Sequence, residues 1–599
     1  MANQTIPARA DIPPEDRWAI EDLYPNDDAF LNEFQAVERE IPRFSPQFAD
    51  TLSQSAGQIA ACLGTLFPLE QRLERLVVYA NQKLHEDTAN SVYQDFADRT
   101  TRLSVQLSQA AAFLEPELLS IPEETLRGFL NADALAPYRR VIEEIARNRA
   151  HTLSASMEHL LSSAGEMAGG PGDIFSAFTN ADLKFPIIED EKGAPVELTE
   201  VRYVPFLKSQ TRSVRKAAFE ALFSTYGSYR NTLAATFSAN IKKTLFFSRA
   251  RGFESTREAS LFYNRVPLDV YDNLVKTVNA HLPLLHRYIA LRKRLLGVDA
   301  LHMYDLYVPM VPDVTMDFPF DKAKETVIDS LAPLGSGYQD TLREAFQSRW
   351  IDVYENRGKR GGAYSWGAYG VHPYVLLNHK ADLNGVFTLS HEMGHALHSY
   401  YSDQAQPYQY AGYKIFVAEV ASTCNESLLI RHLLGQADEK AQRLYLLNHF
   451  LEEFRGTVFR QTMFAAFEQT VHGLLAAGES LTAERLCSLY REINRVYYGP
   501  DVVLDEGIEM EWARIPHFYT PFYVYQYATG FSAAIALSQR ILEENGASDY
   551  LSFLRGGCSK DPIDLLKGAG VDMTTPAPVA HALSLFSDLL DQMEEALSA

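Results

Sequence analysis

Cysteine is scarce. Cys62, Cys424, Cys487 and Cys558 are the only four in 599 residues, and no two form a C-x-x-C pair. Their scatter argues for buried free thiols in a reducing compartment rather than a disulfide framework. Cys424 offers no spacing that suggests metal ligation. Positive charge is in deficit, with 55 Lys and Arg against 77 Asp and Glu, a net charge of -22 and a pI near 5.2. This argues against nucleic acid or an anionic membrane as partner, because both need clustered basic residues. No run approaches the roughly 20 apolar residues of a membrane span. Residues 1–17 carry acids and prolines and lack the apolar centre of a signal peptide, so a cytoplasmic location is expected. Lys359 and Arg360 lie in no G-x-x-x-x-G-K-[ST] phosphate loop. There is no internal repeat and no low-complexity segment.

What is present is an ordinary globular balance, 46% hydrophobic and 22% charged, with one informative stretch, His391-Glu392-Met393-Gly394-His395. On an α-helix, positions i and i+4 share a face about 6 Å apart along the axis. Two imidazoles so placed can close on one metal ion. Glu392 can then take a proton from a water held there, which is the arrangement of a zinc-dependent hydrolase. Phe387, Leu389, Met393, Ala396 and Leu397 support the helix.

A catalytic zinc usually takes three protein ligands. His398 shares the face, but on a continuous helix it lies about 10.5 Å along the axis from His391. It therefore reads as a packing or supporting residue, with ligation as the alternative. Glu419, in the helical stretch Phe416–Thr423, is the better candidate. Glu426, two turns further on, can accept from a ligand imidazole or serve as a surface carboxylate.

H-E-M-G-H-A-L-H followed by F-V-A-E-V-A-S-T-C-N-E resembles the thimet-oligopeptidase (M3) family of metallopeptidases, most of all its oligoendopeptidase F branch. Gly358–Tyr364, Pro373–Asn378, Ile515–Tyr519 and Tyr523–Gly530 carry the same resemblance, which spans about residues 200 to 590 and, more loosely, Trp18 to Pro25. It implies a mainly α, two-lobed, zincin-like fold with a deep substrate channel and a small β-sheet beside the active-site helix. It also implies one Zn2+ per chain, with Glu419 as third ligand to His391 and His395. The activity implied is endopeptidase cleavage of short peptides.

Residues 1–16 read as a flexible arm, 17–200 as an N-terminal helical lobe, and 201–599 as the catalytic domain. Met167–Pro171 reads as a break, with a hairpin after it that turns at Glu191-Lys192-Gly193. Val375–Leu377 reads as a strand just before the metal helix. An edge strand there can bind an extended peptide, with Gly361, Gly362, Ala363 and Tyr364 lining its approach.

His517 is followed by Tyr519, Tyr523, Tyr525 and Tyr527. Tyrosines this dense are usually packing residues. Phenol and imidazole can also donate to the oxyanion of a tetrahedral intermediate. The family resembled here uses a histidine and tyrosines of this region for that purpose, which points to His517, Tyr523 and Tyr525, with Tyr519 next.

Two other functions are open to the sequence. A metallocarboxypeptidase on a similar scaffold would need a cation for the substrate carboxylate, and Lys359, Arg360 or Arg514 could supply it. A silent peptide-binding protein should have lost its general base, yet Glu392 is intact.

Overall fold

Helical periodicity dominates the sequence, and the computed structural model of the chain is 72% helix and 3% strand. It describes residues 6–312, 314 and 316–598. The chain forms two compact units built from interleaved segments. One comprises residues 1–152, 315–429 and 537–570, the other residues 153–314, 430–536 and 571–599. The first crossing thus falls near residue 152, not 200, and the chain crosses again several times.

The first unit explains why its halves belong together. Helices Asp27–Phe48, Ala56–Glu86 and Ser91–Ala111 present apolar stripes at helical spacing, including Phe30, Phe34, Val37 and Ile41. These share one buried core with Ala368, Tyr374 and Leu376, which lie much later in the chain. Tyr374 and Leu376 belong to a three-stranded sheet in which strand Tyr374–Leu376 is central. It pairs parallel with Ile351–Asp352 and antiparallel with Tyr364–Trp366. The strand before the metal helix is therefore interior, with all three residues buried, and Tyr364–Trp366 is an edge. Its three apolar residues in succession already fit a strand covered on both faces.

Residues 1–5 of the expected arm lie outside the described residues. From residue 7 onward the arm is tied down. The Arg357 amide donates to the Pro7 carbonyl at 2.8 Å and the Val353 amide to the Asp16 carbonyl at 3.0 Å. Arg9 grips the fully buried carboxylate of Asp352 with two hydrogen bonds, at 2.8 and 2.5 Å. Lys359 meets the same carboxylate at 2.7 Å. Composition hid this, because a polar, proline-rich segment gives no sign of a partner about 340 residues away. Trp18 comes next, buried edge-on to Tyr374, with its indole N–H donating to Glu86 at 2.7 Å.

In the second unit the expected hairpin is present, Ile187–Glu189 against Pro195–Glu197. Asp190 accepts from the amides of Lys192 and Ala194, and Gly193 takes the left-handed conformation of the turn. The expected break at Met167–Pro171 is instead inside helix Gly165–Ala177. Glycine permits a break without requiring one. Here the stack of Phe175 on Tyr519, at 4.2 Å between rings, supports the helix. No helix among the described residues is long and apolar enough to cross a membrane.

Replacing Arg9 by Ala removes two charge-assisted bonds to a buried carboxylate and should cost about 2 kcal/mol. Calorimetry should show a lower thermal midpoint; an unchanged midpoint would mean that this segment is not held.

Candidate metal centre

The helix carrying the motif runs from Leu383 to Ala405. It starts where Asp382 caps it, the carboxylate accepting from the Gly385 amide at 2.8 Å. A second helix, Ile415–Gln436, carries Glu419 and Glu426. The two come unusually close at one point. A Cβ added to Gly394 would lie 2.6 Å from the Cα of Ser422 and 2.8 Å from the carbonyl oxygen of Ala421. Only glycine permits that approach. Next to it, the Asn425 amide donates to the Ser390 carbonyl at 3.2 Å and ties the helices together.

The approach brings three donors together. His391, His395 and Glu419 offer ligand atoms within 4.8 Å of one another. Nε2 of His391 lies 3.4 Å from Oε2 of Glu419, and Nε2 of His395 lies 3.3 Å from the same oxygen. Two ligands of a tetrahedral zinc, each about 2.0–2.1 Å from the ion, are about 3.3 Å apart. The donor set and its spacing therefore fit such an ion.

The supporting contacts are equally definite. Nδ1 of His391 faces Oε1 of Glu426 at 3.2 Å. A carboxylate oxygen accepts, so Nδ1 carries a proton toward Glu426, which leaves Nε2 as the nitrogen that would bind an ion in place of its own proton. Ser422 donates its hydroxyl to Oε2 of Glu419 at 3.0 Å. Burial tends to lower the His391 pKa, but the hydrogen bond and charge of Glu426, with Glu392 and Glu419, hold it up at about 9. Burial tends to raise the Glu419 pKa, but hydrogen bonding and charge from His395, the charge of His391 and the Ser422 hydroxyl bring it down to about 2.

Glu392 is 7% exposed, and one of its carboxylate oxygens has no hydrogen-bond partner. Burial raises its pKa, against the lowering effect of the two histidines. A buried carboxylate with an unused acceptor beside the donor triad is what a proton carrier at a metal requires. His398 is not part of the triad. It is 1% exposed, stacked on Tyr413 at 3.8 Å and packed near Phe553. Burial and the charge of His395 bring its pKa down to about 3, so it packs as a neutral ring.

The sheet packs against the motif helix through its edge strand and its central strand. Gly361 and Gly362 are exposed, and Ala363 and Tyr364 half-buried. Asn378 pins the glycine loop, donating to the carbonyls of Arg360 and Gly362 at 3.1 and 2.8 Å. Tyr364 is held by His85, whose Nδ1 is 2.7 Å from the phenol oxygen.

The histidine and tyrosines of residues 517–527 form a group within the second unit. The Tyr527 hydroxyl is 3.2 Å from Nε2 of His517. Tyr523 lies parallel to His517 at 5.9 Å and edge-on to Tyr527 at 5.4 Å. Burial lowers the His517 pKa. Tyr525 is not in this group: it is fully buried, with its ring 5.1 Å from Tyr271. Tyr519 stacks on Phe175, and burial raises its pKa. The family resemblance pointed to Tyr525, but in the structure it is Tyr527 that meets His517. On the helix that begins at Tyr525, residues 525 and 527 lie on different faces, and it is the face of Tyr525 that is buried. Gly394 and Ser422 also escaped the sequence pattern, although a glycine inside a strongly helical motif is itself a sign of close helix packing.

The chain matches the profile of Peptidase family M3 over residues 206–585 and that of Oligopeptidase F over residues 117–185. It is 49% identical to oligopeptidase PepF of Bacillus subtilis, over 100% of this chain and 89% of that protein. The chain belongs to peptidase family M3. The M3 peptidase is also 40% identical to group B oligopeptidase PepB of Streptococcus agalactiae, with 98% of each chain covered. Among solved structures it resembles oligoendopeptidase-F from Enterococcus faecium, with a TM-score of 0.75, 39% identity, and 96% of this chain and 99% of that one covered. A Chlamydophila abortus crystal structure matches at a TM-score of 0.94, with 34% identity and coverage of 99% and 100%. The resemblance read from the motifs thus holds, and the protein is a metalloendopeptidase.

Replacing Gly394 by Ala should push the two helices of this M3 peptidase apart, because the clash is with backbone. Metal affinity should fall by about tenfold or more, as supporting changes around metal sites do. Competition against a calibrated chelator measures it; unchanged affinity would show that the helix spacing does not set the site.

Proposed function

We propose that this metalloendopeptidase uses one zinc ion per chain, held by His391, His395 and Glu419, to cleave internal bonds of short oligopeptides in the cytoplasm. The observation that carries the reading is the triad of donors at tetrahedral spacing beside the unpartnered oxygen of Glu392. When bound, zinc supplies Lewis acidity, which lowers the pKa of a water toward about 7 and polarises a carbonyl.

The rest is done by the chain. Glu426 fixes the tautomer and direction of the His391 ring, and Ser422 fixes the carboxylate of Glu419. Glu392 takes the proton from the attacking water and returns it to the leaving amine. His517, Tyr523 and Tyr527 are assigned as donors to the oxyanion, with Tyr519 as support. The burial of Tyr525 removes it from that set. Strand Tyr364–Trp366, outermost in its sheet among the described residues, is the edge assigned to an extended peptide, with Gly361, Gly362 and Ala363 beside it. The preference for short peptides is supported by the relatives named for oligopeptides.

Two of the cations that a carboxypeptidase would need are already engaged. Lys359 is fully buried on Asp352, and Arg514 is held by Glu200 at 2.5 Å. Arg360 donates to Nε2 of His85 at 2.9 Å. These pairings favour the endopeptidase reading.

An end-blocked peptide of about ten residues, a size suited to a ligand-burying cleft, separates the two readings when its products are read by mass. Internal cuts, abolished by a chelator and restored by zinc, are expected. Trimming of only the unblocked peptide from its C-terminus would overturn the proposal. Glu392→Gln should retain zinc and lose nearly all turnover, whereas Glu419→Ala should lose zinc far more readily than His398→Ala. Full activity in the first, or the reverse order in the second pair, would reassign these residues.

A further inference from the structure

Phe522 is one of five non-glycine residues with positive φ among the described residues, at +55°. The left-handed conformation is unfavourable for a bulky L-residue, so its surroundings must hold it there. They do so from three sides. The Phe522 ring is 1% exposed, packed against His472 at 4.7 Å and Tyr271 at 5.9 Å. The Ser260 hydroxyl donates to the Pro521 carbonyl at 3.0 Å. The Phe522 amide itself donates to Oε1 of Glu468 at 2.7 Å.

Glu468 sits on helix Arg460–Ala476 and is 1% exposed. Its other oxygen has no hydrogen-bond partner. Burial pushes its pKa up to about 8, so near neutrality it is largely uncharged and accepts as a carbonyl. Packing alone does not account for it: an apolar side chain of that size would fill the space without burying an unpaired polar atom. What only Glu468 supplies is the acceptor for the amide of the strained residue.

The conformation of Phe522 directs the chain beyond it. The left-handed step turns the Phe522 ring into the core, while the next residue, Tyr523, lies against His517 and Tyr527. The preceding turn is anchored separately, by the Asn240 amide on the Phe518 carbonyl at 3.2 Å. His517 is therefore fixed by one anchor and Tyr523 by the other. We propose that Glu468 is a positioning residue: by holding the Phe522 backbone it sets Tyr523 in register with His517 and Tyr527. This rests on the assignment of those three residues to the reaction.

The test uses Glu468→Gln, Glu468→Leu, Tyr523→Phe and the double variant Glu468→Leu/Tyr523→Phe, with kcat and KM on the end-blocked peptide and bound zinc measured for each. Glu468→Gln keeps the acceptor and should stay close to wild type. Glu468→Leu should lose about 100-fold in kcat, the scale of a misplaced catalytic group, with KM and zinc content unchanged. The double variant should be no slower than the slower single variant, because both changes remove the same contribution. Losses that multiply, a normal kcat in Glu468→Leu, or a loss that follows zinc or the folded fraction would overturn the proposal. A wild-type kcat in Tyr523→Phe would instead overturn the assignment of Tyr523 to the reaction. Should Glu468→Leu not fold, Glu468→Asp, one methylene too short to reach the amide, takes its place with the same expected loss.

Discussion

The contact on which the metal centre depends is made by a missing atom. Gly394 has no Cβ, and the backbone of Ser422 occupies the place where one would be. Side chains on the two helices can meet only because their axes come this close. At a wider separation the carboxylate of Glu419 could not sit 3.3–3.4 Å from both imidazoles. The same closeness lets Asn425 bond across to the Ser390 carbonyl and puts Ser422 itself within reach of Glu419. One residue without a side chain thus sets the distance that five polar side chains exploit.

The surroundings then assign each group its state. His391 is caught between two carboxylates, one at each ring nitrogen, so without an ion both nitrogens have an acceptor to donate to, and an ion at Nε2 would take the place of a proton. Glu392 and His398 show the opposite treatment of buried polar groups. Glu392 keeps an unpartnered oxygen beside the donors, where a proton can be taken up. His398 is pressed flat against Tyr413 and becomes part of the packing. Polar residues on one helix therefore differ in role by what faces them, not by type.

The motif helix with its two histidines, its partner helix and the hairpin at Ile187–Glu197 were legible in sequence, because each rests on local spacing, whereas Glu419 was singled out by the family resemblance. His398 could be set aside by the rise of a helix alone. What escaped was governed by contacts distant in sequence. The strand at Tyr374 looked like a sheet edge because Ile351 and Asp352 give little sign of a strand. The arm at Arg9 looked loose because its partner is Asp352. The helix through Gly169, Gly170 and Pro171 defies local propensity. Tyr525 and Tyr527 are two residues apart, and choosing between them requires knowing which face of their helix is buried.

The shared core of the first unit has a consequence for how the protein is made. Its early helices, through Ile142, bury their apolar faces partly against Ala368, Tyr374 and Leu376. More than two hundred residues separate these groups in the chain. At translation rates of about 5–20 residues per second, the N-terminal helices wait on the order of tens of seconds for the surface that completes them. During that interval Trp18 lacks the rings of Tyr364 and Tyr374 on which it packs in the finished protein. The nascent chain leaving the ribosome, rather than the finished enzyme, is thus the form most exposed to aggregation, and the form on which a chaperone would act.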